Sequence, residues 1–150
     1  MFLQNLRARM SARLSGDREA GFTLIELLVV MLILGILAAI AIPAFFNQRD
    51  KGTDAQAKAA VRTAQTAMET YATDAGGTYV GASAEDLETI EPTLEDAELL
   101  EPAKLGESAY EVIVESDTGT EFSIERNGGT VTFSCDPEGG GCPPGKDWSK

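Results

Sequence analysis

The sequence predicts an α+β chain: one long amino-terminal helix, first membrane-spanning and then amphipathic, packed on a small three-stranded antiparallel sheet that ends in a cysteine-bounded loop. Three observations predict it. Residues 22–42 form an apolar run of twenty-one, close to the roughly twenty needed to cross about 30 Å of hydrocarbon. Helix-forming residues then continue with apolar side chains at spacings of three and four. From Ala109 the period changes to two, with glycine-containing turns between the runs and two cysteines after them.

The first 21 residues are polar and basic. Arg7, Arg9, Arg13 and Arg18 outnumber Asp17 and Glu19 by two, so the rest of the chain carries −14 of the net −12. Positive charge before an apolar span places the amino terminus in the cytoplasm and the acidic body outside. The run is interrupted by one carboxylate, Glu26, near its start. A charge at the centre of a membrane helix costs about 2.5–3.5 kcal/mol on insertion scales, so a sequence that keeps one has a use for it. A secretory signal peptide with Ala39-Ile40-Ala41 as its cleavage site is one alternative, and a plain uncleaved anchor is another. The length of the run and the presence of Glu26 favour a third: a signal cut before the apolar segment, which then stays in the mature protein.

Gly21-Phe22-Thr23-Leu24-Ile25-Glu26-Leu27-Leu28-Val29-Val30 resembles the prepilin-type signal of the type IV pilin and type II secretion pseudopilin family. The resemblance implies a leader, residues 1–21, removed by a prepilin peptidase between Gly21 and Phe22. It implies that Phe22 becomes an N-methylated amino terminus and that Glu26 directs assembly. It also implies flexibility of the helix between Gly35 and Pro43, the two poorest helix formers of the apolar segment. The implied leader is long if counted from Met1 and shorter if counted from Met10. Glu26 lies one helical turn after Phe22, so its carboxylate can neutralise that residue's amine or a neighbour's. In a poorly hydrated interface a misplaced subunit leaves both charges unpaired, which fixes register.

Residues 22–43 are thus read as the transmembrane and assembly helix, and residues 44–75 as its amphipathic continuation. Pro43 kinks a long helix more often than it ends one. A continuous helix over 22–73 measures about 78 Å at 1.5 Å per residue. Ala57, Ala60, Val61, Ala64, Met68 and Tyr71 share the face expected to meet the body. Lys51, Lys58 and Arg62 fall opposite and read as a solvated stripe, with pairing to the acidic stretch of a neighbouring copy as the alternative. Asp74-Ala75-Gly76-Gly77 stops the pattern.

Residues 76–150 make the acidic connecting segment, the sheet and the loop. Eight acidic residues and no basic one lie between Glu85 and Glu101. Ser83 caps a short helix to Ile90, and Thr93 is read as capping a second turn over 94–99. Leu87, Ile90, Leu94, Leu99 and Leu100 supply the buried side. Strands are expected over 109–115, 121–125 and 130–134, with Phe122, Ile124, Val131 and Phe133 inward. Ser116-Asp117-Thr118-Gly119 and Asn127-Gly128-Gly129 are the hairpin turns. Asp117 and Glu121 lack the spacing of a calcium loop, so ordinary turn chemistry is the reading there. Cys135 and Cys142 have too few companion ligands for a metal site, in a chain with no histidine. A small disulfide outside the cytoplasm fits better than free thiols, and it resembles the disulfide-bounded end of pilins. Trp148 is compatible with packing on the sheet or with exposure.

Composition excludes much. There is no histidine, no G-x-S-x-G and no phosphate loop, so no enzyme, metal or cofactor is expected. An acidic body disfavours direct nucleic-acid binding. The resemblance implies a structural subunit of a type IV pilus-like filament, a helical homopolymer that also takes other pilins, or alternatively a pseudopilin of a secretion or competence system. The implied partners are copies of itself, the prepilin peptidase, an assembly platform and the cytoplasmic membrane. The implied route is from a single-pass membrane protein to an extracellular or periplasmic filament.

Overall fold

The computed structural model describes residues 22–149. The expected leader and Gly21 lie outside the described residues. Helix α1 runs Leu24–Asp74 and helix α2 runs Ala84–Ile90. A 3-10 turn, Pro92–Leu94, leads to β1 (Glu98–Leu99), β2 (Ala109–Glu115), β3 (Glu121–Asn127) and β4 (Thr130–Asp136). Two compact units divide the chain, one ending at Ile42 and the other beginning at Pro43.

The first unit is the apolar part of α1. Every described residue up to Ile42 is exposed, and among the described residues this is the one helix long and apolar enough to cross a membrane. An apolar surface this continuous needs lipid or partner helices around it.

The second unit has its own core. Along α1, Ala57, Val61, Ala64, Ala67, Met68 and Ala72 are buried, at spacings of three and four. Small side chains let the sheet approach the helix closely, and Met68 fills the remaining space. Ala60 and Tyr71, expected on this face, lie at its margin. The helix ends where Gly77 N–H reaches the Ala72 carbonyl at 2.7 Å, with Gly76 and Gly77 both at positive φ.

Helix α2 begins as expected. Ser83 accepts from the Asp86 amide and Asp86 accepts from the Ser83 amide, a reciprocal capping box. The second expected turn is absent. Pro92 starts a 3-10 turn in which Thr93 caps nothing, and Glu98 and Leu99 run back antiparallel along Glu115 and Val114. The sheet therefore has four strands in the order β1-β2-β3-β4, not the expected three. Burial of Leu94 closes the turn early, and the released chain pairs with the otherwise open edge of β2.

In β2, Tyr110, Val112 and Val114 alternate inward, and Phe122 and Ile124 do so in β3. Val131 does not follow. It stands opposite Arg126 and is exposed, because the guanidinium takes the end of that face. Residues 128 and 129 make the tight β3–β4 turn, with Gly128 in the left-handed region.

Candidate functional site

At the start of α1, Thr23 and Glu26 satisfy each other. The Thr23 amide donates to Glu26 Oε2 at 2.9 Å, the Thr23 hydroxyl donates to the same oxygen at 2.8 Å, and the Glu26 amide donates to Thr23 Oγ1 at 3.3 Å. This is a capping box: T-x-x-E at a helix start lets both partners satisfy amides that have no carbonyl one turn back. The sequence carries its signal, since Thr23 stands three residues before Glu26. Phe22, immediately outside the helix, is 79% exposed. Gly35 has nothing near the position of a Cβ, and Pro43 lies inside the helix without ending it.

In the body, two carboxylates of α1 fasten the helix to the strands and loops. Asp54 is fully buried. Its Oδ1 accepts from the hydroxyls of Ser116 at 2.8 Å and Thr118 at 2.6 Å, both in the β2–β3 turn. Its Oδ2 accepts from the Gly141 amide at 2.6 Å. Asp54 is absent from the ion pairs among the described residues; three donors hold its charge instead. One turn along, Lys58 donates to the Gly141 carbonyl at 2.5 Å. Side chains four residues apart on α1 therefore grip both sides of Gly141. A Cβ on Gly141 would lie 2.5 Å from the Asp54 Cβ, and one on Gly140 would lie 2.6 Å from Oδ2. Close approach to the helix is thus what Gly140 and Gly141 permit. Cys135 and Cys142, which flank them, are disulfide-bonded.

Glu69 fastens the other end, about 22 Å along the helix. It accepts from the hydroxyls of Tyr79 at 2.8 Å and Tyr110 at 2.9 Å and pairs with the Arg126 guanidinium. Burial pushes the Glu69 carboxyl up, but these hydrogen bonds and the adjacent positive charge outweigh it, so it lies below the ordinary carboxylate range. Burial and the same carboxylate push both phenols up. A carboxyl lowered by folding stabilises the fold above its unfolded pKa, about 4.3, and this contribution disappears as pH falls through the folded value. Glu69→Gln should therefore lower the urea midpoint at pH 7, and the gap from the parent chain should close towards pH 3. Parallel midpoint curves from pH 7 to pH 3 would contradict this.

Of the solvated stripe expected from spacing, Lys51 and Arg62 are exposed and Lys58 is half-buried. Lys58 lies 5.2 Å from the Phe122 ring centroid, and the Arg62 guanidinium lies 5.0 Å from Trp148 and 5.2 Å from Phe133. Trp148 is buried, donates its indole N–H to the Ser134 carbonyl at 2.8 Å and meets Phe122 and Phe133 edge to face. Cations over aromatic faces are attracted by the ring quadrupole, so the carboxy-terminal segment gives both a ring to lie over, with Lys58 half-buried and Arg62 still exposed. The β2–β3 turn, where Asp117 lies, directs two of its hydroxyls at Asp54.

The motif at the start of α1 carries the similarity to known proteins. The family described as the prokaryotic N-terminal methylation motif matches residues 16–42. The chain is similar to type IV pilins and to type II secretion pseudopilins. The chain is 29% identical over 131 residues to fimbrial protein Q of Moraxella bovis, covering 82% of this chain and 83% of that protein. It is 44% identical over 54 residues to the type IV major pilin protein PilA of Myxococcus xanthus, covering 36% of this chain and 24% of the relative. It is 35% identical over 60 residues to type II secretion system core protein G of Pectobacterium carotovorum subsp. carotovorum, covering 40% and 38%. The matches to the last two span well under half the length of those relatives. No solved structure matches the chain at a significant level.

Proposed function

We propose that the chain is a structural, non-enzymatic subunit of a type IV pilus-like filament that polymerises through the apolar part of α1. The observation that carries this reading is the coincidence of the methylation motif with a fully exposed span-length helix and a lone Glu26 at its start. Residues 1–21 are the leader removed by the prepilin peptidase at Gly21–Phe22. Residues 22–43 hold the subunit in the membrane and later pack against other subunits, residues 44–75 carry the body, and residues 76–150 complete it. Before assembly the amino terminus faces the cytoplasm and the body lies outside, where the Cys135–Cys142 bond is stable. An assembly platform extracts the subunit, and Gly35 and Pro43 let the helix adapt as it packs. The similarity to a fimbrial protein over most of both chains supports the pilus reading. The similarity to core protein G keeps a secretion pseudopilin as the second.

The test is electron microscopy of surface filaments with mass spectrometry of their main component. The expected result is a filament whose subunit begins at Phe22 with one methyl group on its amine. A filament-free surface, with loss of protein secretion when the gene is deleted, would favour the second reading. A mature chain that retains Gly21 would overturn both.

A further inference from the structure

We propose that the Asp54–Lys58 pair makes the order of the β2–β3 turn conditional on the Cys135–Cys142 disulfide. The inference does not depend on the filament reading. Three hydrogen bonds meet at one buried carboxylate: Gly141 from the disulfide loop on one oxygen, Ser116 and Thr118 from the turn on the other. Lys58 holds the carbonyl of the same glycine. The loop that presents Gly141 contains Gly139, Gly140 and Gly141 in succession, and glycine loses more backbone freedom on ordering than any other residue. The cross-link over seven positions removes much of that freedom before docking begins.

With the bond open, the loop has little to hold Gly141 in place. Asp54 Oδ2 then loses its one donor in a fully buried position, which a carboxylate does not tolerate. The side chain must rotate or admit water, and in either case it draws its other oxygen away from Ser116 and Thr118. The turn is left with its two backbone bonds, Ser116 N–H to Thr120 at 2.9 Å and Gly119 N–H to Ser116 at 2.7 Å. Glu69 and its partners share no group with this network, so that end of the body stays fastened. Closing the loop oxidises two thiols to one disulfide, passing two electrons and two protons to the disulfide of an exchange partner. A dithiol reverses it, losing the same two electrons and two protons.

Hydrogen exchange on the full chain in detergent micelles tests this, in the oxidised state and after reduction with dithiothreitol. The Ser116 and Gly119 amides should exchange about tenfold faster on reduction, while the Tyr110 and Arg126 amides keep their rates. Gly141→Ala with its disulfide intact by mass should reproduce the reduced pattern, because its Cβ displaces Asp54. Unchanged Ser116 and Gly119 rates on reduction overturn the proposal. So does acceleration that extends equally to Tyr110, or a Gly141→Ala chain that exchanges like the oxidised parent.

Discussion

Asp54→Ala is expected to lower the thermal midpoint of the body by roughly 10–15 °C. The substitution leaves two hydroxyls and the Gly141 amide without their acceptor, and an unsatisfied buried polar group costs about 1–3 kcal/mol. Thr118 is exposed and recovers water, so the total is about 2–4 kcal/mol, which for a body of this size corresponds to that midpoint shift. Asp54→Asn should be milder. Its amide oxygen can face Gly141 while its NH2 donates to the hydroxyls, which accept as readily as they donate. The expected order is parent, then Asn, then Ala, read by near-ultraviolet circular dichroism of the full chain in detergent. An alanine variant within about 3 °C of the parent would remove Asp54 from the account of stability.

The second large effect concerns Glu26. Glu26→Val is expected to insert and to be cleaved normally, yet to yield filaments at less than about a tenth of the parent level, as a buried charge pair lost from one side costs about 3–5 kcal/mol. The capping box complicates that result, since valine also removes the partner of Thr23. A lost cap costs only about 1 kcal/mol, too little to stop a helix of this length from inserting. Glu26→Gln separates the two roles: glutamine keeps a side-chain acceptor for the Thr23 amide but carries no charge. If assembly depends on the pair with the Phe22 amine, Gln should fail nearly as badly as Val. Filament counts at parent level for Gln would assign Glu26 to capping alone. Counts at parent level for Val would remove it from assembly altogether.

What the sequence revealed follows from how local each signal is. The apolar run, the Gly76-Gly77 stop, the Ser83 cap and the alternation of β2 and β3 are set by neighbours in the chain, and each stands where spacing places it. β1 was hidden because Glu98 and Leu99 have no strand pattern of their own; they pair only because β2 presents an open edge. Asp54 was hidden for a different reason. In a stretch of Lys, Gln and Ala it reads as one more polar residue, and its partners lie 62 to 87 positions away. The glycines before Cys142 were the available clue, because a run of residues without a Cβ signals close approach to something. For Lys58 and Arg62, helical spacing gives a direction and not the height of what lies beside them. Trp148, from the far end of the chain, occupies that height.

The charge balance of the body has a consequence for crowded copies. Residues 43–149 contain seven lysines and arginines against twenty-one aspartates and glutamates. Five of the seven, Lys58, Arg62, Lys104, Arg126 and Lys146, lie over rings or against carboxylates of their own chain. Seven positive against twenty-one negative charges leave a net −14, so the outward field is predominantly anionic, and at physiological salt it decays over about 8 Å. In colloid terms the acidic body is a charge-stabilised particle. Its charge supplies stand-off, and the ionic strength of the medium sets how closely two such bodies approach.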